Sequence, residues 1–353
     1  MLPDPDRFRD CLEASFAELL AGALARNGKP VKVSVKRIPA ATTAPARRRK
    51  PASAAAAGEE GAAATDQATP PKRTRARGVA AAAGSEAAVS GRQPDLRDKW
   101  ALVTGASSGL GVDFAQLLAA RGANLVLVAR RSEPMKTLAA ELKRRHGTHC
   151  HVIAMDLARP GVGAELHAKV IARRVAIELL VNNAGFGVFG DFVDQPLASE
   201  TRMLQLNVVA LTELTHVFAA DMVKRGSGRI LLVGSLGGFQ PLPRYAAYAA
   251  SKAYVLSFGE ALHEELKDRG VVVTVLCPGV TATNFLAVSG QENMPLPDML
   301  TMQSRPVAEI GLKALDAGQA SVVPGLPNQA TAFANRILPR SLFPRLAYRL
   351  LKH

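Results

Sequence analysis

Six short and almost uninterrupted apolar runs between residues 99 and 279 constrain the fold of this chain most. They are KWALVTG, NLVLVAR, HCHVIAMD, IELLVNNAG, GRILLVGS and VVVTVLCPG, each rich in Val, Leu and Ile. Such runs are typical of strands that are buried on both faces. Longer segments with helical periodicity separate them, for example VDFAQLLAARG and FGEALHEELKDRG. The alternation predicts an α/β fold with a doubly wound parallel sheet, to which the later SVVPG could add a further strand.

The composition changes sharply near residue 95 and predicts four regions. Residues 39–95 consist mainly of Ala, Pro, Gly, Thr, Ser and Arg and could not fill a core, so we expect a disordered linker. Residues 1–38 contain one amphipathic helical pattern that stops at an Asn-Gly pair. This helix could dock on a partner or belong to a basic nucleic-acid tail. It could also be a dispensable extension, or the result of a start codon assigned too early. The remainder divides into a catalytic domain, 96–290, and a substrate-lid and basic C-terminal segment, 291–353.

The net charge of +14 raises the question of a nucleic-acid partner, but the basic excess lies at the two ends. Residues 1–95 contain 16 Lys and Arg against 10 Asp and Glu, and residues 305–353 contain 7 against 2. The region between them, 96–304, contains 21 against 18. This distribution argues against nucleic acid as the partner of the central region.

Cysteine usage and the N-terminal residues predict a compartment. Cys11, Cys150 and Cys277 are widely spaced and odd in number, which argues against a disulfide framework or a metal site. The opening residues MLPDPDRFRD lack the apolar core of a secretory signal, and no run of eighteen apolar residues occurs. We therefore expect a cytoplasmic protein without a metal.

The first apolar run ends in a glycine-rich segment, TGASSGLG, at 104–111. Its glycines would let the backbone approach a pyrophosphate at the N-terminus of the next helix, although such segments also merely connect a strand to a helix. In open α/β sheets ligands bind outside the carboxyl ends of the strands, which favours a cofactor site. The candidate contacts are Gly105, Ser107, Ser108, Gly109, Leu110 and Gly111.

The ends of the next three runs supply further cofactor candidates. Arg130 and Arg131 stand where an NAD enzyme usually has an acidic residue, and a guanidinium can bind a 2′-phosphate. This predicts NADP (NADPH), with Arg130 as the favoured contact, although two solvated arginines would look the same. Asp156, followed by Leu157, could accept a hydrogen bond from the adenine amino group or cap the next helix. The NNAG segment adds Asn183, Ala184 and Gly185.

The segment SLGGFQPLPRYAAYAASKAY, residues 235–254, contains YAASK, which fits the pattern Y-x-x-x-K. On a helix Tyr248 and Lys252 would lie one turn apart on one face. Ser235 precedes Tyr248 by thirteen residues and Tyr245 by ten. Tyr245 is seven residues from Lys252, so helical periodicity alone does not exclude it as the acid.

Together TGASSGLG, NNAG and YAASK resemble the short-chain dehydrogenase/reductases over residues 96–285. The resemblance implies a Rossmann fold, a homodimer or homotetramer, and an oxidoreductase that acts on CH–OH groups. It implies that Tyr248 protonates the carbonyl oxygen, that Ser235 stabilises it, and that Lys252 lowers the tyrosine pKa and binds the nicotinamide ribose. Asn207 matches an asparagine that holds a relay water. The motif CPGVTATNF places Pro278, Gly279, Thr281 and Thr283 near the nicotinamide and phosphates.

Two C-terminal features bear on the substrate. SGQENMPLPDMLTMQS is apolar and contains Met, which suits a lid over a bulky apolar substrate and suits an ordinary loop nearly as well. After residue 317 five basic residues and no acidic ones interleave with Leu, Phe and Tyr. This segment could lie on an anionic membrane surface, cover the site or pack on another subunit.

The leading hypothesis is an NADP(H)-dependent oxidoreductase that acts on an apolar carbonyl compound or secondary alcohol. A 3-ketoacyl thioester reductase is the alternative within enzymes. An NADPH-sensing regulator with a nucleic-acid-binding basic tail is the alternative of another class.

Overall fold

A computed structural model of the chain describes residues 95–283, 285, 289, 291, 301–337, 344, 345 and 348. Within this part the strands of the main sheet are β1 Trp100–Thr104, β2 Asn124–Ala129, β3 Cys150–Ala154, β4 Ile177–Asn182, β5 Gly228–Val233 and β6 Val271–Leu276. A small two-stranded sheet pairs β7 Thr281–Ala282 with β8 Met302–Gln303, and β9 Ser321–Val322 joins the main sheet. All pairings in the main sheet are parallel, in the order β3-β2-β1-β4-β5-β6-β9.

Helices connect these strands. They are α1 Leu110–Ala120, α2 Ser132–His146, α3 Val162–Ile171, α4 Leu197–Leu204, α5 Leu211–Arg225, α6 Ala246–Lys267, α7 Ser304–Asp316 and α8 Leu326–Ile337. A π-helical turn, Gln205–Ala210, joins α4 to α5, and 3₁₀ turns occupy Phe192–Asp194 and Leu236–Phe239. The helical connections between parallel neighbours produce the layered arrangement that the alternating sequence pattern predicts.

The sheet divides the described core into two layers because successive strand residues face opposite sides. In β1, Leu102 packs in the layer that contains Leu166 of α3 and Phe218 of α5. Its neighbour Val103 packs in the other layer, with Phe114 of α1. The burial of both strand faces explains why the strands appear in the sequence as continuous apolar runs.

The predicted fold class is confirmed: the six apolar runs are β1 to β6, and the last predicted strand is β9. Residues 1–94 and most of the chain after 337 lie outside the described residues, so the N-terminal helix, the linker and the C-terminal amphipathic segment stay predictions. One helical stretch, Leu197–Arg225, reaches a mean hydropathy of 1.3, enough by length and composition to span a membrane. Its members Leu211, Leu214 and Phe218 pack in the core, as in an ordinary core helix.

Strand order reverses between β1 and β4, where the chain turns from building one half of the sheet to building the other. Such a switch point opens a crevice at the carboxyl ends of the strands. Most of the residues that the sequence singles out follow β1 to β6 at this edge, and the exceptions are Asn207, in the π-helical turn, and Tyr248 and Lys252, on α6. The fold therefore brings segments as far apart along the chain as Gly105 and Thr283 to one side of the sheet.

Candidate active site

The glycine-rich turn after β1 has the backbone shape that only glycine adopts easily. Gly105 has φ 69° and Gly109 has φ 58°, both in the left-handed region. A Cβ on Gly109 would lie 3.1 Å from the Thr283 side chain, and one on Gly111 would lie 2.2 Å from the Gly105 carbonyl oxygen. The turn therefore lies close to Thr283 and packs against its own backbone, and α1 begins at Leu110 directly after it.

Thr104, the last residue of β1, ties the glycine turn to the NNAG segment. Its buried Oγ1 donates to the Val181 carbonyl at 3.3 Å and accepts from the backbone N–H groups of Asn183 and Ala184, both at 2.9 Å. The Asn183 side chain returns a hydrogen bond to the Thr104 carbonyl at 2.8 Å. One hydroxyl therefore organises the ends of two adjacent strands.

The P-G motif, Pro278 and Gly279, follows β6 and lies on the other side of the crevice. The Pro278 carbonyl accepts a 2.8 Å hydrogen bond from Leu236 N–H, next to Ser235. Thr281 and Thr283 bond within their own turn, and Thr283 faces the glycine turn. Asn328 of α8 lies so close to Gly279 that a Cβ there would meet its side chain at 2.5 Å.

Arg130 and Arg131 follow β2 and are exposed. Arg131 donates to the Ser107 hydroxyl at 3.4 Å, which links the end of β2 to the glycine turn. The role of Arg130 and Arg131 as cofactor contacts stays a prediction. The structure orients Arg131 towards that turn through this contact, whereas the sequence favoured Arg130.

Asp156 after β3 is held on both carboxylate oxygens. Oδ1 accepts from Ala158 N–H at 3.0 Å, and Oδ2 forms a 2.7 Å ion pair with Arg202 of α4. Burial raises the pKa of Asp156, but these two partners outweigh it and lower the pKa below its usual value. The expectation that Asp156 might cap the next helix is wrong, because the N-cap of α3 is Gly161. Its neighbour Leu157 is part of the hydrophobic core.

Asn207 lies in the π turn, a local distortion that often marks functional sites. Its Oδ1 accepts from Phe186 N–H at 3.2 Å, and its Nδ2 donates to the Phe186 carbonyl at 2.9 Å and to the Ser251 hydroxyl at 3.2 Å. Both amide hydrogens are thus used within the protein. The side chain braces the loop after NNAG, where a Cβ on Gly185 would lie 2.9 Å from Oδ1 and 3.5 Å from Lys252 Nζ.

Tyr248, Ser235 and Lys252 come together beneath this loop. The Ser235 hydroxyl hydrogen-bonds to Tyr248, and the Lys252 ammonium lies 5.9 Å from the centre of the Tyr248 ring and donates to the Val233 carbonyl at 2.8 Å. Tyr248 and Lys252 are 9% and 5% exposed. Ser251, between them on α6, donates to the Tyr248 carbonyl at 2.6 Å.

Burial dominates the protonation of this group. It raises the pKa of Tyr248 to about 12, against a smaller lowering by the Ser235 hydrogen bond, and it lowers the pKa of Lys252 to about 8. Tyr248 is therefore a neutral phenol at physiological pH, the form that can donate a proton. The expected lowering of the tyrosine pKa by Lys252 stays a prediction.

Tyr245 has a different environment. It is the N-cap residue of α6, outside the helix, so the helical spacing that kept it as a candidate acid does not apply. Its hydroxyl donates to Gln291 Oε1 and accepts from the Ser289 hydroxyl, whose oxygen is 3.1 Å away. The ring is stacked at an angle on Tyr248, with centroids 5.4 Å apart, but the hydroxyl is engaged elsewhere.

The candidate acid Tyr248 is one of four rings that form an aromatic wall, namely Phe189, Tyr245, Tyr248 and Phe285. Neighbouring rings in this order have centroids 5.1, 5.4 and 5.4 Å apart. Apolar side chains extend the wall, namely Phe186, Val188, Met203, Leu204 and Leu242. The space beside Tyr248 is therefore apolar.

Sequence reasoning passed over three residues that the structure ties to the site. Thr104 opens the quoted glycine segment and Ser251 stands inside YAASK, so both lay within recognised motifs. Arg202, the partner of Asp156, is 46 residues away along the chain and carries no local signal. In the part of the chain that the structure describes, no cluster of His, Cys, Asp or Glu could hold a metal ion.

Comparison with known proteins places this geometry in a family. Residues 99–293 match the family model described as short chain dehydrogenase. Dehydrogenase/reductase SDR family member 7B of Danio rerio is 30% identical over 74% of this chain and 86% of its own length. Very-long-chain 3-oxoacyl-CoA reductase of Anas platyrhynchos is 30% identical over 69% of this chain and 76% of its own length.

Two solved structures share the fold at similar identity. The short-chain dehydrogenase from Sphingobium yanoikuyae in complex with NADPH aligns with a TM-score of 0.61 and 32% identity, over 67% of this chain and 93% of that one. The bulky-bulky ketone specific alcohol dehydrogenase from Comamonas testosteroni aligns with a TM-score of 0.58 and 31% identity, over 69% and 96%.

Proposed function

Because this chain belongs to the short chain dehydrogenase family and is an oxidoreductase acting on CH–OH groups, we propose that it is an NADP(H)-dependent carbonyl reductase. Its substrate is an apolar ketone or the corresponding secondary alcohol. The observation that carries this proposal is the pairing of a neutral, buried Tyr248 with Ser235 and Lys252 beside an aromatic wall. A proton donor in an apolar space suits an uncharged substrate whose carbonyl oxygen must gain a proton.

The residues at the carboxyl edge fit a dinucleotide. The glycine turn has positive φ at Gly105 and Gly109 and carries no side chain at either position, and Gly109 faces the Thr283 side chain. We assign the adenine end to Asp156, whose carboxylate is held in place by Arg202. We assign the pyrophosphate to the glycine turn and Thr283, and the nicotinamide end to Lys252 and the P-G motif.

The preference for NADP rests on charge at the end of β2. Arg130 and Arg131 stand there without a carboxylate beside them in the sequence, and Arg131 reaches the glycine turn through Ser107. Guanidiniums bind a 2′-phosphate, which a carboxylate would repel. The related Sphingobium structure was solved in complex with NADPH, which agrees with this preference.

The proposed mechanism assigns one task to each catalytic side chain. When bound, NADPH supplies the hydride that reduces the carbonyl carbon. Tyr248 donates its phenolic proton to the carbonyl oxygen as negative charge develops there. The Ser235 hydroxyl donates a hydrogen bond to the same oxygen, as an oxyanion-hole donor does.

Lys252 and Asn207 support Tyr248 after the proton has left. The Lys252 ammonium, fixed by the Val233 carbonyl, stabilises the phenolate electrostatically. Asn207 holds the loop at Phe186 and contacts Ser251, so its side chain is a brace. A relay water held by Asn207 would have to bind atoms other than the two amide hydrogens of that side chain.

A 3-oxoacyl thioester is the second candidate substrate, because a relative at 30% identity is named very-long-chain 3-oxoacyl-CoA reductase. A long acyl chain is as apolar as a bulky ketone and would suit the same wall. The regulator alternative is not favoured, since an intact proton donor has no use in a pure sensor. A homo-oligomer, a cytoplasmic location and a peripheral membrane contact through the C-terminal segment stay predictions.

The test is NADPH oxidation by the full-length protein over a panel of apolar ketones and 3-oxoacyl thioesters. We expect turnover by the wild type, loss of turnover in Tyr248→Phe, and retained NADPH binding in that variant. Tyr254→Phe is the matched control, because its hydroxyl contacts only Thr212 on the surface among the described hydrogen bonds. NADPH binding without turnover of any member of the panel would contradict the reductase proposal.

A further inference from the structure

Tyr245 occupies the centre of the aromatic wall although it has no part in the proton transfer. Its ring lies between Phe189 and Tyr248, with centroids 5.1 and 5.4 Å away. The side chain is 9% exposed, so its hydroxyl had to find partners inside the protein. Those partners connect it to the segment that follows β7.

The hydroxyl binds two residues of that segment. It donates to Gln291 Oε1 and accepts from the Ser289 hydroxyl at 3.1 Å. Ser289 and Gln291 are about as buried as Tyr245, at 5% and 6% exposed. The Ser289 carbonyl also accepts a 3.2 Å hydrogen bond from Phe189 N–H. The same stretch of backbone is therefore tethered from two neighbours in the wall.

Phe285 belongs to the same segment and covers Tyr248. The two ring centroids are 5.4 Å apart, and a Cβ on Gly187 would meet Phe285, Tyr245 and Tyr248 at 2.9, 3.1 and 3.4 Å. Glycine at 187 is thus required for these rings to converge. The position of Phe285 therefore limits the space beside the Tyr248 ring.

The turn just before Tyr245 is also held in place by several contacts. Arg244 has φ 66°, a strained conformation for a residue with a side chain. Its carbonyl accepts from Gly190 N–H at 2.9 Å, and its guanidinium lies 4.4 Å from the centre of the Phe189 ring. Tyr245 therefore projects from a rigid turn and can serve as a fixed point for the segment opposite.

We propose that Tyr245 is a positioning residue that holds the wall segment of Phe285, Ser289 and Gln291 against Tyr248 and so determines how bulky a substrate binds well. This inference rests on the proposed reductase function. A bulky apolar substituent on the ketone packs on the wall, whereas the smallest ketones reach Tyr248 without contacting the wall. A wall that is ordered before binding spares the substrate the entropic cost of ordering it.

The experiment compares Tyr245→Phe with the wild type on two methyl ketones, one with a short and one with a bulky apolar substituent. The change keeps the ring and removes only the hydroxyl. We expect KM for the bulky ketone to rise about fivefold, the size expected from one buried hydrogen bond. KM for the short ketone and kcat for both stay unchanged, because Tyr248 and Ser235 are untouched.

Two further variants locate the effect in the hydroxyl contacts. Gln291→Ala should raise KM for the bulky ketone and leave KM for the short ketone unchanged, as Tyr245→Phe does. In the double variant the loss of binding free energy should be smaller than the sum of the two single losses, since both substitutions remove the same interaction. Tyr254→Phe, which also removes one tyrosine hydroxyl, leaves both KM values unchanged. An equal rise of KM for the two ketones, or a loss of kcat for both, would overturn the proposal.

Hydrogen exchange of the Phe189 amide tests the inference without turnover. This amide is bonded to Ser289, so it exchanges faster in Tyr245→Phe if the hydroxyl holds the segment, and at the wild-type rate in Tyr254→Phe. An unchanged rate in Tyr245→Phe contradicts the positioning role. Failure of the reductase proposal is a separate result, namely no turnover of any ketone by the wild type.

Discussion

Removal of the Thr104 hydroxyl tests how the two halves of the cofactor crevice are joined. Thr104→Val keeps the shape of the side chain and removes only Oγ1, which makes one hydrogen bond as donor and accepts two from Asn183 and Ala184. Thr104 is fully buried, so water cannot replace the hydroxyl. The substitution leaves two backbone N–H groups and one carbonyl without this partner.

The expected cost follows from those contacts. A lost hydrogen bond of ordinary strength costs about 1 kcal/mol, and a buried donor left without a partner costs about 1–3 kcal/mol. The Asn183 N–H keeps a 3.1 Å hydrogen bond to the Val181 carbonyl, so Ala184 N–H is the donor that loses its partner. We expect the free energy of unfolding to fall by about 2 kcal/mol, a substantial part of the roughly 5–15 kcal/mol of a typical domain. The bond from Asn183 Nδ2 to the Thr104 carbonyl remains, so the protein should still fold.

Urea unfolding and NADPH binding measure the two consequences. We expect Thr104→Val to bind NADPH more weakly, because the NNAG backbone and the glycine turn lose their common anchor. Thr104→Ser is the matched control, since it keeps the hydroxyl and loses one methyl group, at a cost of about 1 kcal/mol. If Thr104→Val were as stable as the wild type, or if Thr104→Ser were the more damaging change, the hydroxyl would not be the anchor.

Three further predictions concern the cofactor and the proton donor. Arg130→Ala should weaken NADPH binding by about tenfold or more and leave NADH binding unchanged, since a hydrogen bond to a charged group contributes about 1.5–3 kcal/mol; an equal loss for both cofactors would contradict the assignment. Gly109→Ala should weaken NADPH binding, because φ 58° strains alanine and the new Cβ would lie 3.1 Å from Thr283; isothermal titration with wild-type affinity would refute this. The pKa of Lys252 is lowered to about 8, so its ammonium is present below that pH and lost above it. We expect kcat/KM for NADPH to fall as pH rises through about 8, while Tyr248, with a pKa of about 12, stays protonated; a rate that rises over this range would exclude Lys252 as the titrating group.

Much of the fold was predictable because local patterns encode it. A strand buried on both faces has to be largely apolar, and five of the six apolar runs are such strands. The exception is β3, at the edge of the sheet, which is only partly buried. The helical spacing of Tyr248 and Lys252 is equally local, and both residues lie on α6 as expected. The position of the motifs at the carboxyl edge then follows from the rule that parallel strands all end on the same side.

The sequence by itself determined the α/β fold, the glycine turn, the Y-x-x-x-K pair on one helix and the arginines after β2, because these depend on residues that are neighbours along the chain. The serine spacing and the family resemblance already favoured Tyr248 over Tyr245, whereas helical periodicity left both open and only the tertiary structure separated their surroundings. It placed Tyr245 outside α6, with its hydroxyl on Ser289 and Gln291, more than 40 residues away. It also set the pKa of Tyr248, joined Arg202 to Asp156 and engaged the amide of Asn207. Desolvation and long-range hydrogen bonds arise when separate elements pack together, and no periodicity along the chain records them.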